Sequence, residues 1–541
     1  MQPRDQLTVD QLQKESILSL IDMSFFAKPE WAGEASQPFS GSVSINDTEL
    51  IFPKEREPYP GENIFPKLTI AFVSHNGELI PTRKEKISTK KQSESLWDVI
   101  IGTGAVWQED DDGNWNRASF PFTLTDRYIG QARNCVATFV YKAQAISNVY
   151  VQCSQETADL NDHQVGNIRA MLQAAYDPNL DADSTQVIER HNRFKTQKYS
   201  VHPLSEIDTT NEIADYFEKP MRTNAPTSAG VVLMDEKLYQ HPLKTRHGLY
   251  PYPSEMRHGV YSVTKSMAGA LSLLYFAERY NEDIFEEFIT DYVPALADHR
   301  GWQGVTFSHA LNMVTGTVGS ERAEHLFEIL IKARTAEEAI ENIATLGDAP
   351  VAPGQYFNYA STNLFVLSYA LQNYVNEKEG QPLNYWDLVQ ENVLAPIGAD
   401  YFTVRHTFEA EDSKSIPILA YGALPTLNEA AKIAFLISNE GSYNGEQLLH
   451  KEKTREALGR TKWGGYNIEN DYRGSRYRHS FWSETFNTPK CEVEVTYMLG
   501  YGGNYVLFFP SGVIALRFMD EYDLDLKELI LAVEEVRSSC R

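Results

Sequence analysis

Between residues 40 and 153 apolar and polar residues alternate in short runs, KLTIAFVS, DVIIGTGAVW, ASFPFTLT, CVATFVYKA and SNVYVQC, broken by Asn-Gly, Asp-Gly and proline. A period of two between turn residues is the mark of strands with one buried face, and it predicts an all-β unit, a sandwich or barrel of about seven or eight strands. A short amphipathic start precedes it, with Leu12, Ile17, Leu18 and Ile21 as its apolar positions. After it comes a polar stretch from about Glu156 to Pro203, in which DHQVGNIRAMLQAAY has the spacing of a helix. From Glu206 onward the pattern changes. GVVLMDEKLYQHP reads as a strand, a series of apolar helical segments follows, and NYVLFFP and GVIALRFMD read as strands before a last helix, DLKELILAVEEVRSS. Strands at both ends of a helical middle fit an α+β layer in which the terminal strands share one antiparallel sheet and the helices form a second lobe. The expected division is a β-rich accessory domain over 1–155, a linker with a helix over 156–205 and an α+β domain over 206–541.

Composition narrows the class of partner. The 541 residues carry 49 Lys and Arg against 74 Asp and Glu, a formal net charge of −25, with no basic stripe. Such a molecule repels nucleic acid and anionic membrane surfaces, so neither is expected as a partner. No apolar run approaches the roughly eighteen residues of a membrane span. The beginning, MQPRDQLTVDQLQKES, has neither the basic nor the apolar part of an export signal. Two locations stay open: periplasmic or secreted after removal of a signal, or cytoplasmic. The four cysteines bear on that choice. Cys135 and Cys153 lie in consecutive strand-like runs where a hairpin could join them as a disulfide, which would imply export, or leave them as two half-buried thiols. Cys491 and Cys540 have no evident partner, and the sequence leaves the oligomeric state undetermined.

The chemistry concentrates in GVYSVTKSMAGALSLLYFAERY, which sets Ser262 and Lys265 three residues apart at the start of a strongly apolar helix. Residues so spaced share a helix face, and a lysine shielded from water can take the proton that keeps a serine hydroxyl from acting as a nucleophile. The spacing alone is weak. Ser88 and Lys91 repeat it inside the charged run KEKISTKKQSES, with no apolar helix behind them. A second segment, PGQYFNYASTNLFVLSYALQ, places Tyr359, Ala360 and Ser361 on a loop before another apolar helix. Other chemistries find no support. There is no G-x-S-x-G, H-E-x-x-H or G-x-x-x-x-G-K-[ST]. GTGAVW at Gly102 has Trp107 where a dinucleotide fingerprint needs glycine, and the acidic run ending at Gly113 lacks the carboxylates of a calcium loop. His241, His247, His258, His299, His309, His325 and His479 are scattered without ligand spacing, so no metal and no cofactor is expected.

The order of S-x-x-K, then Y-x-S, then the glycine-rich strand MLGYGGNYVLFF resembles the β-lactamase-related serine hydrolases: class C β-lactamases, DD-peptidases and their esterase, amidase and nylon-oligomer-hydrolase relatives. VTFSHALNMVTGTVG, from Val305 to Gly319, and YGALPTLNEAAKIAFLISNEG, from Tyr421, add to the resemblance, which covers about residues 210 to 541. It implies that family's fold, with Ser262 at the junction of sheet and helical lobe. It also implies acyl transfer through a serine ester, with Ser262 as nucleophile and Lys265 and Tyr359 sharing its proton, either of them being the base. The same resemblance assigns the oxyanion donors to the backbone N–H groups of Ser262 and Asn504, beside the strand-edge glycines Gly502 and Gly503, whose other reading is a tight strand bend. Two positions depart from the family pattern. Ser361 replaces an asparagine, which puts its contact with Lys265 in doubt, and Tyr501 replaces the Lys or His that helps hold a substrate carboxylate. The expected substrate is therefore a small ester or amide without a required carboxylate. The alternatives are a β-lactamase or D-alanyl-D-alanine peptidase and, from another class, a catalytically silent binding protein that kept the fold.

Overall fold

The computed structural model describes residues 5–14, 19–51, 58–128, 130–155, 168–179, 182–218, 229–347, 351–411, 414–468, 474–519 and 525–540. Leu12 and Ile21 of the amphipathic start are buried, whereas Ile17 and Leu18 lie outside the described residues. The alternating region forms one antiparallel sheet in which Ser40–Ile45, Leu68–His75, Glu78–Pro81, Gly104–Trp107, Asn116–Asp126, Ala132–Lys142 and Val149–Gln155 are successive neighbours. Trp97–Ile101 pairs with Asn116–Asp126 beside Gly104–Trp107, so the two make one bent strand. Arg169–Leu172 pairs with Val149–Gln155, and Ala174–Asp177, one residue further on, pairs with Ser40–Ile45. Both edges of the sheet are thus held by a single stretch of chain, and the sheet closes on itself as a barrel. Closure leaves no edge for unwanted pairing, and a barrel of this size has an interior that side chains alone fill. Aromatic rings occupy it: Phe39 packs against Phe72, Phe139 and Tyr141, and Phe72 against Phe120. Cys135 and Cys153 face each other in register on neighbouring strands and form a disulfide.

The expected linker is built differently. Of DHQVGNIRAMLQAAY, Asp162–Gly166 and Asn167 lie outside the described residues, and the rest is strand, not helix. Ile168, Ala170 and Leu172 point into the barrel core, so burying that face while pairing both sheet edges outweighs the helix propensity of Ala, Met, Leu and Gln. The helix of this region comes later, at Ser184–Gln197, where the Asp183 side chain caps the backbone N–H groups of Thr185 and Gln186. The barrel therefore extends past residue 155. Ser200–Pro203, inside the expected linker, already belongs to the second sheet.

Among the described residues that second sheet has nine strands, with Lys237–Gln240, Ala229–Met234 and Ile514–Phe518 adjacent, then Asn504–Phe508, Glu492–Gly500 and Phe481–Asn487. N- and C-terminal strands meet directly, Ala229 opposite Phe518, as the α+β expectation required. The helices Glu212–Glu218 and Lys527–Val536 cover one face of the sheet. The segment Lys265–Arg279 lies on the other face, against Ser361–Glu379 and Leu427–Ser438. A second disulfide joins Cys491 to Cys540. Among the described residues no helix is long and apolar enough to cross a membrane.

Barrel and α+β unit share one core, in which Val136, Val140 and Tyr150 pack with the residues around the Lys265 helix. Polar contacts fix the register between them. Tyr250 Oη donates to Cys135 O (3.1 Å) and Tyr252 Oη to Ser119 O (3.1 Å). The buried Asn134 side chain donates to Arg257 O (2.8 Å) and accepts from Arg257 N–H (3.0 Å), replacing a missing strand partner. Asn134→Ala would leave both backbone groups of Arg257 buried and unpaired, at about 1–3 kcal/mol for each such group. Urea denaturation of this variant is expected to show a loss in that range or above it, with Thr123→Ala, which removes only a side-chain neighbour of Asn134, losing less.

Candidate active site

Ser262 is delivered by an unusual piece of backbone. Val260 N–H bonds Ala423 O (3.2 Å), Tyr261 adopts a left-handed φ of 44°, and the chain then turns into the buried helix through i to i+3 bonds, ending with Lys265 N–H to Ser262 O (3.0 Å). A left-handed tyrosine is strained by about 1–3 kcal/mol and persists only where its surroundings enforce it. Here Thr264 Oγ1 donates to Tyr261 O (2.5 Å) and accepts from Ala423 N–H (3.0 Å), pinning the turn. The first turns after Ser262 are wound as a π-helix, Lys265–Ala270, before the α-helix Leu271–Arg279. Ser262 and Lys265 are brought together as their spacing predicted.

The Lys265 amine is 1% exposed and donates to Ser262 Oγ (2.9 Å), Ser361 Oγ (3.0 Å) and Ala420 O (3.0 Å). It lies 4.8 Å from the centre of the Tyr359 ring. All these partners are neutral, so removal from water dominates and pulls the amine down to about 8, partly opposed by the negative charge of Glu321. Burial, with Tyr477 and Glu321 nearby, pushes the Tyr359 phenol well above its ordinary value, partly opposed by the Ser262 hydroxyl beside it. The ring is held by Phe357, Tyr477 and Trp482.

Ser361 does keep the contact with Lys265 that its shorter side chain had put in doubt. It sits in the first turn of the helix Ser361–Glu379, and a carboxylate unnoticed in the sequence completes its bonding: Glu321 accepts from Ser361 N–H and from Ser361 Oγ, the latter at 3.1 Å. With its proton given to Glu321, the Ser361 hydroxyl presents lone pairs to Lys265. Glu321 carried no sequence signal, being a single exposed acid in a loop.

The glycine-rich hairpin is arranged differently from the expectation. A cavity of about 390 Å³ opens at Ser262, bounded on this side by Leu499, Gly500 and Tyr501. Gly502 and Gly503 form the turn, with φ of 82° and 78°, the tight-bend alternative. Asn504, fully buried, pairs with Gly500, and its side chain bonds Tyr501 O (2.6 Å) and Met519 N–H (3.2 Å). The glycine of close approach is Gly500, since a Cβ there would sit 2.1 Å from Val260 O. Tyr501 is 37% exposed on the cavity wall, its ring edge against Tyr261. Leu326, Phe327, Ile331 and Trp482 make the remainder largely apolar, and Glu321 is the one charged side chain among its lining residues. Among the described residues no cluster of His, Cys, Asp or Glu is arranged to hold a metal.

The Beta-lactamase family model matches residues 215–510, more than half of the sequence, and the chain belongs to that family of serine acyl-transfer hydrolases. Its fold is similar to solved structures at low identity. A penicillin binding protein from Bacillus halodurans is 15% identical, with 62% of this chain and 99% of that one covered and a TM-score of 0.43. A D-stereospecific amidohydrolase from Streptomyces sp. is 15% identical, with 62% and 99% covered and a TM-score of 0.42. A class C beta-lactamase is 14% identical, with 62% and 97% covered and a TM-score of 0.43. No curated protein matches the chain.

Because Glu321 favours the charged form of Lys265, its removal makes the amine easier to deprotonate. In Glu321→Gln the ascending limb of the pH profile of serine acylation, followed with an activated ester, is expected to move to lower pH.

Proposed function

We propose that the protein cleaves a small, uncharged or cationic ester or amide through an acyl-enzyme on Ser262. The observation that carries this is the 2.9 Å contact between the Ser262 hydroxyl and a fully buried amine held near 8. A measurable fraction of that amine is neutral at pH 7, whereas a phenol pushed well above its ordinary value is almost wholly protonated, so Lys265 is the base and Tyr359 the proton carrier. As the Ser262 Oγ–carbon bond forms, the hydroxyl proton passes to Lys265. Tyr359 gives its proton to the departing alcohol or amine and recovers one from Lys265. Water, deprotonated by the neutral amine, then attacks the acyl carbon; the Ser262 Oγ–carbon bond breaks, the acid leaves, and Lys265 returns the proton to the Ser262 oxygen. The oxyanion is received by the backbone N–H of Ser262 and by the Gly500–Asn504 hairpin, a preorganised donor being worth about 3 kcal/mol in such reactions.

The lining supports the substrate class. A β-lactam or peptide carboxylate would meet Tyr501, a neutral phenol, and an exposed Glu321 in place of a cation, while the apolar wall suits an alkyl or aryl acyl group. The two disulfides support work in an oxidising compartment, periplasmic or extracellular.

With a short-chain p-nitrophenyl ester, kcat/KM is expected to rise through about pH 8 as Lys265 loses its proton. Ser262→Ala should lower it by about a thousandfold or more and abolish labelling by a fluorophosphonate. A strong preference for a cephalosporin over the ester would overturn the substrate class, and an unlabelled, folded Ser262 would favour a silent binding protein.

A further inference from the structure

A second cavity, of about 300 Å³, lies on the seam between the barrel and the α+β unit and shares no lining residue with the one at Ser262. Its wall carries five cationic side chains, Arg83, Lys86, Lys90 and Arg127 from the barrel side and Arg405 from the other, against two carboxylates, Asp98 and Asp126. In a chain of net charge −25 this is a local reversal of sign.

The two acids are already engaged. Asp98 accepts from Arg127 Nε (3.0 Å) and Thr89 N–H (3.0 Å), and Asp126 accepts from the backbone N–H groups of Tyr128 (2.7 Å) and Gln131 (2.6 Å). Lys86 has only a 3.8 Å approach to Asp98. Arg405, 6% exposed, gives its hydrogen bonds to neutral atoms, Arg127 O (2.6 Å) and Tyr421 Oη (3.1 Å). A buried guanidinium without a carboxylate is costly, and the cost is relieved when an anion enters beside it. Desolvation pulls the Lys86 amine below its ordinary value, the response of a cation with too little negative charge around it. Guanidinium groups and ammonium groups converging on one hollow are the arrangement that recognises phosphate and carboxylate oxygens.

We propose that this seam cavity is a binding site for a small polyanion bearing phosphate or carboxylate groups, held by Lys86, Arg83 and Arg405 and joining the two structural units. This cavity shares no lining residue with the one at Ser262, although Arg405 touches Tyr421 of the latter, so binding is read directly and not through activity. Titration calorimetry of the intact protein with inorganic pyrophosphate and, separately, with citrate, at ionic strength held constant with sodium chloride, is expected to show saturable one-to-one binding of at least one of them, with a matching rise in Tm. Binding by pyrophosphate alone would identify a phosphate ligand, and binding by citrate alone a polycarboxylate. Lys86→Met and Arg83→Gln should each weaken binding about tenfold, while Ser262→Ala binds as the wild type does. Circular dichroism establishes that the variants are folded. Absence of saturable binding by either anion above the chloride control, or affinity unchanged in the folded Lys86→Met, Arg83→Gln double variant, overturns the proposal.

Discussion

The withdrawal of the Lys265 amine from water is the constraint on which the site depends. An ammonium group at the surface would hold its proton at pH 7 and have nothing to accept from a serine. Here three neutral oxygens and an aromatic face surround it, enough to satisfy its hydrogens but without the direct carboxylate that would fix its charge. Glu321 stands one hydroxyl away, behind Ser361, and so restrains the downward shift without cancelling it. The strained Tyr261, the π-wound first turns and the close approach of Gly500 to Val260 O all lie in the segment that carries Ser262 and Lys265 or directly against it.

The barrel takes part in this arrangement. The stretch from Tyr250 to His258 leads to Ser262 and is fastened to barrel strands at Ser119, Asn134 and Cys135. Arg257, in that stretch, also reaches Glu429 (3.0 Å) at the start of the helix Leu427–Ser438, whose preceding turn supplies the Ala420 and Ala423 contacts of the site. A rigid barrel with an aromatic interior thus acts as the wall against which the serine-bearing turn is held. Glu255 extends the join, its carboxylate held between Lys84 of the barrel (3.3 Å) and Lys198 (3.1 Å) and thereby kept far below the usual carboxylate range.

What was legible in the sequence was whatever local spacing determines. Ser262 and Lys265 share one helix, Tyr359 and Ser361 flank the start of another, and alternation over 40–153 revealed strands. Features set by distant contacts were not legible. RAMLQAAY is a strand because two sheet edges need closing, which no window of its own residues expresses. Cys491 finds Cys540 because the last helix returns along the sheet. Glu321 acquires meaning only when its loop is laid beside Ser361. In GYGGN the sequence points to Gly502 and Gly503 as the glycines of close approach; their positive φ values make them the turn, and the distance to Val260 O makes Gly500 the one that packs.

The departures from the family pattern are best understood together. An asparagine in place of Ser361 would offer an amide N–H toward a substrate carbonyl, and a Lys or His in place of Tyr501 would offer a cation toward a carboxylate. With a hydroxyl and a phenol at these positions neither attraction is offered, and Glu321 stands at the cavity wall as a carboxylate. On the proposed function, Coulomb repulsion would disfavour anionic substrates and the apolar wall would favour hydrocarbon acyl groups, so selectivity would rest on rejection as much as on attraction. On that proposal the carboxylate that partly opposes the effect of burial on Lys265 would also filter what reaches Ser262, coupling the pH response of the site to its choice of substrate.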